Sequence, residues 1–322
     1  MSRRVYLHGG TNFLSNMIPN FPNFKIIELS DRESILAITK EFDPYSDFDF
    51  GNIIFWDYTE KMLISKLNEN LVIKFNDYLT GEYFYTFIGI NEVEATINTL
   101  IQHSKQVKIK PILKLIPEVV VDKLSGTKFS SFEDIDNLDY IVSVDKLYTY
   151  EGHELAAKRR AVSIFSRRTP HSNFKVLDLH DEKTLSDIER LFILWHTQKV
   201  ERGESTSDSG HEYTALKRCL TYAKDLNILG TGLYVEDTLV AFWIIGILEN
   251  GYCISHFEKA DTNSYQGIFP YFKQKVAEEL LSRNIKYINL EQDLGIPGLR
   301  QSKGAYFPVK FLKKYIIQEK LV

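Results

Sequence analysis

Two cysteines, Cys219 and Cys253, are all that the 322 residues contain, which excludes a disulfide framework or a cysteine-rich metal site and fits a reducing compartment. Long apolar runs are missing as well. The longest, 239–248 (LVAFWIIGIL), lies between Asp237 and Glu249 and is about half the roughly twenty residues that a membrane-crossing helix needs. It reads as a buried strand, and no integral membrane segment is expected. The start, MSRRVYLHGG, places Arg3 and Arg4 before no apolar stretch, unlike a secretory signal, so the expected location is cytoplasmic. Charge is nearly balanced, 39 Lys and Arg against 43 Asp and Glu, which argues against a nucleic-acid coat over the whole surface and leaves only local basic patches. The eight histidines show no metal-ligand spacing, and His-Glu-x-x-His, Gly-x-Ser-x-Gly and a Walker-type loop are all lacking. No metal ligand is expected.

What remains is a folded chain with 44% hydrophobic residues, long enough for two domains of ordinary size. Pattern and turn signals predict a strand over 24–29, a helix over 31–41, strands over 52–56, 70–75 and 83–90, and a helix over 92–104. A basic helix over 151–168 follows, and the order then begins afresh. The second series is a strand over 174–179, helices over 182–200 and 212–226, and strands over 230–236, 239–248 and 251–259. A helix over 268–284, a strand over 286–291 and a closing pair of strands end it. This is the element order of the GNAT fold, and the first half offers a degraded version of it. The expected fold is α/β with mixed sheets: two tandem GNAT-like domains, 1–147 and 174–322, joined by a basic connecting segment, 148–173, with the C-terminal domain better defined. The first could serve as a wall of the cleft or an acceptor platform.

The densest chemistry lies at 288–308. A strand that carries Asn289, Glu291 and Asp293 on one face and Ile288 and Leu290 on the other is only half apolar. The glycine-punctuated loop after it brings Arg300, Lys303 and Tyr306 close in sequence to those carboxylates. Glu258 is expected to share a strand face with His256 and Ile254, opposite to Lys259. In the basic helix, Leu155, Val162 and Phe165 form one stripe with Lys158 among them, while Arg160 and Arg167 share another face.

Each of these admits two readings. Glu291 with a raised pKa could take a proton from an attacking amine, with Glu258 and Asp293 at the same cleft mouth; alternatively Glu291 and Asp293 pair with Arg300 and Lys303 and pin the loop. His256 is a cleft residue or a hydrogen-bonded core histidine. Lys158, Arg160 and Arg167 hold phosphates, or the helix is a solvated one past whose apolar stripe Lys158 snorkels.

The set Glu258-Lys259-Ala260, 289–295, Gly298-Leu299-Arg300, Lys303 and Tyr306, with Lys158-Arg159-Arg160 before it, resembles the phosphatidylglycerol lysyltransferase C-terminal domain family over roughly residues 24–315. The resemblance implies paired GNAT-like domains related to enzymes that move an aminoacyl group from transfer RNA to a lipid or a cell-wall precursor. The acceptor would be a small molecule or a lipid headgroup, and tRNA a partner. Two departures stand out: the membrane portion of the lipid-modifying enzymes is lacking, and Arg160 stands where asparagine is expected.

The donor can be approached by spacing. Acetyl-CoA users of this fold carry Gln/Arg-x-x-Gly-x-Gly/Ala before the helix whose N-terminus receives the pyrophosphate. The corresponding run, 264–269, keeps only the central Gly267, the one candidate cofactor-binding residue, and Phe269 would crowd a phosphate. Aminoacyl-tRNA is therefore favoured over acyl-CoA as acyl donor. The competing expectation, from a different class, is a non-catalytic module that binds a small anionic ligand or an RNA 3′ end.

Overall fold

The computed structural model describes residues 17–57, 61–77, 80–126, 128–204 and 209–320, so the N-terminal segment read for a leader lies outside the described residues. The first half runs β1 (Lys25–Ile26), α1 (Arg32–Thr39), α2 (Phe50–Trp56), β2 (Leu63–Leu67), β3 (Asn70–Asn76), β4 (Tyr83–Ile88), α3 (Val93–Gln106), β5 (Ile112–Pro117), α4 (Glu118–Val121), β6 (Phe129–Glu133), β7 (Asp139–Ser143) and α5 (Val144–Thr149). The second runs α6 (Ala156–Arg168), β8 (Ser172–Leu177), α7 (Glu182–Glu201), α8 (Ser209–Tyr222), β9 (Ile228–Val235), β10 (Thr238–Ile247), β11 (Tyr252–Ala260), α9 (Ile268–Ser282), β12 (Tyr287–Asn289), α10 (Pro297–Gly304), β13 (Lys310–Leu312) and β14 (Lys314–Glu319).

Two mixed seven-stranded sheets result, in the orders β1-β2-β3-β4-β5-β14-β6 and β13-β7-β12-β11-β10-β9-β8. The fold is thus the mixed α/β, tandem GNAT-like architecture expected. Sheet membership does not follow chain order: β7 pairs with β12 in the second sheet, and β14 lies between β5 and β6 in the first. Among the described residues no helix is long and apolar enough to cross a membrane, and 239–248 forms most of the buried central strand β10.

The largest core is shared by both halves. Ile53 and Phe55 of α2 belong to one apolar cluster with Phe242, Ile244 and Phe257 of the second sheet, and Arg218 of α8 donates from Nε to the Ile54 carbonyl at 3.0 Å. Burying each such side chain contributes roughly 1.5–3 kcal/mol. That packing also explains a correction: 52–56 (NIIFW), expected as a strand, is the helix α2. Asp49 caps it by accepting from the Asn52 amide, and almost every residue of the helix is buried, so the short apolar run carried no helical stripe to read. The strands β2, β5, β6 and β7 were not predicted.

Candidate functional site

The site begins where two parallel strands part. β11 and β12 pair at Tyr252 with Tyr287, Cys253 with Ile288 and Ile254 with Asn289. There β12 stops, whereas β11 continues to Ala260, so among the described residues 255–260 have no strand on that side. Asn289 ends the strand: its Oδ1 accepts from the Glu291 amide at 2.7 Å, and its Nδ2 donates to the Pro44 carbonyl at 2.7 Å and to Asp139 at 3.1 Å. Glu291 then takes a positive φ of 61°. Asn289, Glu291 and Asp293 therefore do not line one face of a continuing strand, as the alternation suggested.

A second local feature separates two other residues. The β10–β11 register shifts so that Ile244 faces Phe257 and Ile245 faces Ser255, leaving His256 as the extra residue of a β-bulge. Beyond it the alternation is reversed. His256 lies against Asn52 and Phe55, while Glu258 turns to α9 on the other side of the sheet. The expected shared face of His256 and Glu258 does not exist, though Lys259, paired with Glu212 at 2.6 Å, does point away from Glu258.

On the α9 side, Glu258 Oε2 accepts from Lys273 Nζ at 2.5 Å. The Lys273 ammonium sits 3.9 Å from the Trp243 ring centre and 5.0 Å from that of Tyr306. Lys158, from α6, stands 4.1 Å over the same Tyr306 ring. Glu258 Oε1 is buried and has no hydrogen-bond partner. Burial pushes the Lys273 ammonium below its ordinary range against the pull of Glu258. Burial and the neighbouring Lys273 charge lower Lys158 too, and burial raises the Tyr306 phenol. A carboxylate with one unpaired oxygen, two partly desolvated cations and an aromatic wall are thus gathered from β10, β11, α6, α9 and the segment after α10. Glu258, Lys158 and Tyr306 were predicted from sequence. Lys273 was missed; its signal is a lone cation within the buried stripe Phe272, Val276, Ala277 of α9.

On the opposite side, His256 Nδ1 is 2.8 Å from Asn52 Oδ1, and Asn52 Nδ2 donates to Glu291 Oε1 at 2.8 Å. Asn52, hidden by the misread helix, was also missed. Beneath lies Lys314, fully buried, which donates to Asp139 and Gln292, each at 2.7 Å, and pairs with Asp47. Burial pushes the Asp47 carboxyl up to about 6, Lys314 opposing and Asp139 adding to the rise. The Lys303 ammonium donates to the Gln292 carbonyl at 2.6 Å, and burial lowers it to about 8 against Glu291, Asp139 and Asp293.

Asp293 fastens the loop. It accepts from Tyr140 at 2.5 Å, from Arg300 at 2.9 and 2.8 Å and from the Gly295 amide at 2.8 Å. Burial alone would raise its carboxyl, and these donors hold it below the usual range. Arg300 also reaches Asp136 at 2.6 Å. Of the loop-pinning alternative given above, the Asp293–Arg300 pair is present, whereas Glu291 accepts from Asn52 and Lys303 donates to the Gln292 carbonyl.

Gly267 is the N-cap of α9 with φ +84°, and a Cβ there would lie 2.4 Å from the Ala161 carbonyl oxygen. The backbone of α6 therefore packs on the α9 N-terminus. Arg160 is exposed on α6, while Arg168 donates to Gln266 at 2.8 Å. A cavity of about 540 Å3 opens between α1, α2 and the β10–β11 turn, with His256 in its lining. No group of three or more potential metal ligands occurs among the described residues.

Comparison with known proteins bears on the family and the fold. The family described as phosphatidylglycerol lysyltransferase, C-terminal, matches residues 39–318. A conserved protein of unknown function from Bacteroides thetaiotaomicron is similar at 28% identity and a TM-score of 0.79, over 94% of this chain and all of that one. The C-terminal domain of a candidate lysylphosphatidylglycerol synthetase from Agrobacterium fabrum is 11% identical, with a TM-score of 0.61 over 89% of this chain and 91% of that one. L-PGS from Bacillus licheniformis is 14% identical, with a TM-score of 0.58 over 95% of each chain. At such identities these two likenesses concern the fold. Among curated proteins none matches.

Proposed function

The chain belongs to the phosphatidylglycerol lysyltransferase C-terminal family, and from that premise we propose that it is a GNAT-type transferase that moves an aminoacyl group from transfer RNA to an amine or hydroxyl acceptor. The observation that carries this reading is the meeting of Glu258, Lys273, Lys158 and Tyr306 beside the unpaired stretch of β11.

In the proposed reaction the acceptor nitrogen or oxygen attacks the ester carbonyl of the donor. The new bond to the acyl carbon forms, the ester bond to the terminal ribose breaks, and the acceptor proton passes to the departing ribose oxygen. Glu258 is the group to carry that proton, since its Oε1 has no partner to give up. Lys273 and Lys158 offer positive charge to the oxygen on which negative charge develops, inside a site where burial strengthens the interaction. Tyr306 holds both cations against its ring. His256, Glu291, Asn289, Lys303 and the Asp293–Arg300 clamp act from the other side by fixing where β12 ends and hence how wide the strands part.

Transfer RNA is favoured over acyl-CoA because α6 packs its Ala161 carbonyl on the N-cap of α9, the place a pyrophosphate would need. Arg160, Arg167 and Arg168 on α6 supply contacts for a polyanion. For the acceptor we propose a lipid headgroup or a small molecule, as the family's name suggests, and for the location the cytoplasm, where charged tRNA is made.

The test supplies the protein with a mixed pool of aminoacyl-tRNA or with acyl-CoA, each with phosphatidylglycerol vesicles or a small amine. Acceptor-dependent discharge of at least one aminoacyl-tRNA, with acyl-CoA left intact, is the expected result. Consumption of acyl-CoA would overturn the donor assignment.

A further inference from the structure

The cavity of about 540 Å3 lies on the side of the second sheet away from Glu258 and is not used by the reaction above. Its size is that of a small-molecule site, and its walls are specific in character. Phe42, Tyr45, Phe48, Phe50 and Tyr252 contribute aromatic rings. Among charged residues, Glu41, Asp43, Asp49 and Glu249 line it against Arg32 and Lys40. Two of these are paired locally, Asp43 with Lys310 at 2.6 Å and Arg32 with Glu33 at 3.0 Å, which leaves Asp49 within and Glu41 and Glu249 at the exposed edge, against Lys40 alone.

The hydrogen bonds of Asn52 settle what His256 presents. Asn52 Nδ2 donates to the Ser46 carbonyl at 3.2 Å and to Glu291 at 2.8 Å, and both partners are acceptors, so the amide orientation is fixed. Asn52 Oδ1 therefore faces His256 Nδ1, and Nδ1 must carry the hydrogen. In the neutral ring Nε2 is then a bare acceptor. The His256 side chain is only 1% exposed, and no described residue donates to Nε2. That nitrogen lies against Gly246, where a Cβ would come within 2.5 Å of it, and both residues line the cavity. At the lining of the cavity, that acceptor is available to a donor that a ligand brings. Asp49, the cap of α2, lines the same cavity, so the donor meets a carboxyl group as well.

We propose that this cavity is a second ligand site, separate from the transfer cleft, that receives an organic cation: a primary ammonium group donating to His256 Nε2 and Asp49, on an apolar stem that lies along Phe42, Tyr45 and Tyr252. An ammonium satisfies the unpaired acceptor, balances the carboxylates and is attracted to aromatic faces. A carboxylate ligand would meet like charge at every acidic wall.

The probes are n-hexylammonium, n-hexanol and n-hexanoate, titrated into the whole protein and followed by saturation-transfer NMR and thermal shift. Hexylammonium is expected to bind about tenfold or more tightly than either of the others. Asp49→Asn keeps the cap of α2, since asparagine caps as well as aspartate, and is expected to erase most of that preference. Gly246→Ala, with its fold checked by circular dichroism, is expected to abolish binding. Glu258→Gln is expected to bind hexylammonium as the wild type does, so loss of transfer and loss of this site are read separately. Equal or tighter binding of hexanol or hexanoate, no saturable binding of hexylammonium at millimolar concentration, unchanged binding in Gly246→Ala, or its loss in Glu258→Gln would each overturn the proposal.

Discussion

Lys303 is held in the folded chain at a cost. Its ammonium lies deep against the Gln292 carbonyl although its stem is partly exposed, and burial brings its pKa down to about 8 from an ordinary 10.5. Between those values the unfolded chain binds more protons than the folded one, so this group makes stability rise with pH across that window, and below it the full penalty is present. Lys303→Met is therefore expected to stabilise the protein at pH 7 by about 1–3 kcal/mol and to flatten the rise toward pH 10. Urea unfolding of both proteins at the two pH values measures this; a variant no more stable at pH 7 would contradict it. The sequence pointed to Lys158 by its place in an apolar stripe, to Lys303 by the glycine-punctuated loop, and to Glu258 and Tyr306 through the family resemblance. It did not reveal Lys273 or Asn52, whose importance comes only from what a distant segment brings to them.

At the scale of elements, the meander β9–β11 and the helix α9 were readable, since each is long and bounded by turn signals. Shorter elements failed for physical reasons. The buried run 52–56 has no polar face, so a capped helix and a strand look alike there. Alternation along β11 was correct until the bulge at His256, which leaves no mark in composition. Gly267, the one candidate cofactor-binding residue, has a packing role that spacing could not show: its missing side chain admits the α6 backbone. Gly267→Ala would combine a φ of +84° with a contact of 2.4 Å to the Ala161 carbonyl and is expected to destabilise by about 2–4 kcal/mol. The melting temperature reports the loss, and an unchanged value would show that the α6–α9 contact is slack. Because Lys158 rides on α6, the same variant should weaken acyl transfer.

For the whole molecule, the feature least legible in sequence is the exchange of strands between sheets. β7 leaves the first half for the second sheet, β14 returns from the C-terminal end to the first, and Lys314 of β14 meets Asp139 of β7 at 2.7 Å where the two paths cross. No local pattern encodes such a crossing, because β7 is a short, almost wholly buried segment and β14 one of mixed burial, and only their pairing is long-range. The exchange fixes β12 beside β7 and so fixes where β12 ends, which is what opens the edge of β11 and lets Glu258 meet Lys273, Lys158 and Tyr306. The claim that transfer occurs at that meeting point is tested most directly by comparing the rate of acceptor-dependent aminoacyl-tRNA discharge by the wild type and by Glu258→Gln at equal tRNA retention. A fall of roughly a hundredfold or more is predicted, and discharge by the variant at the wild-type rate would contradict it.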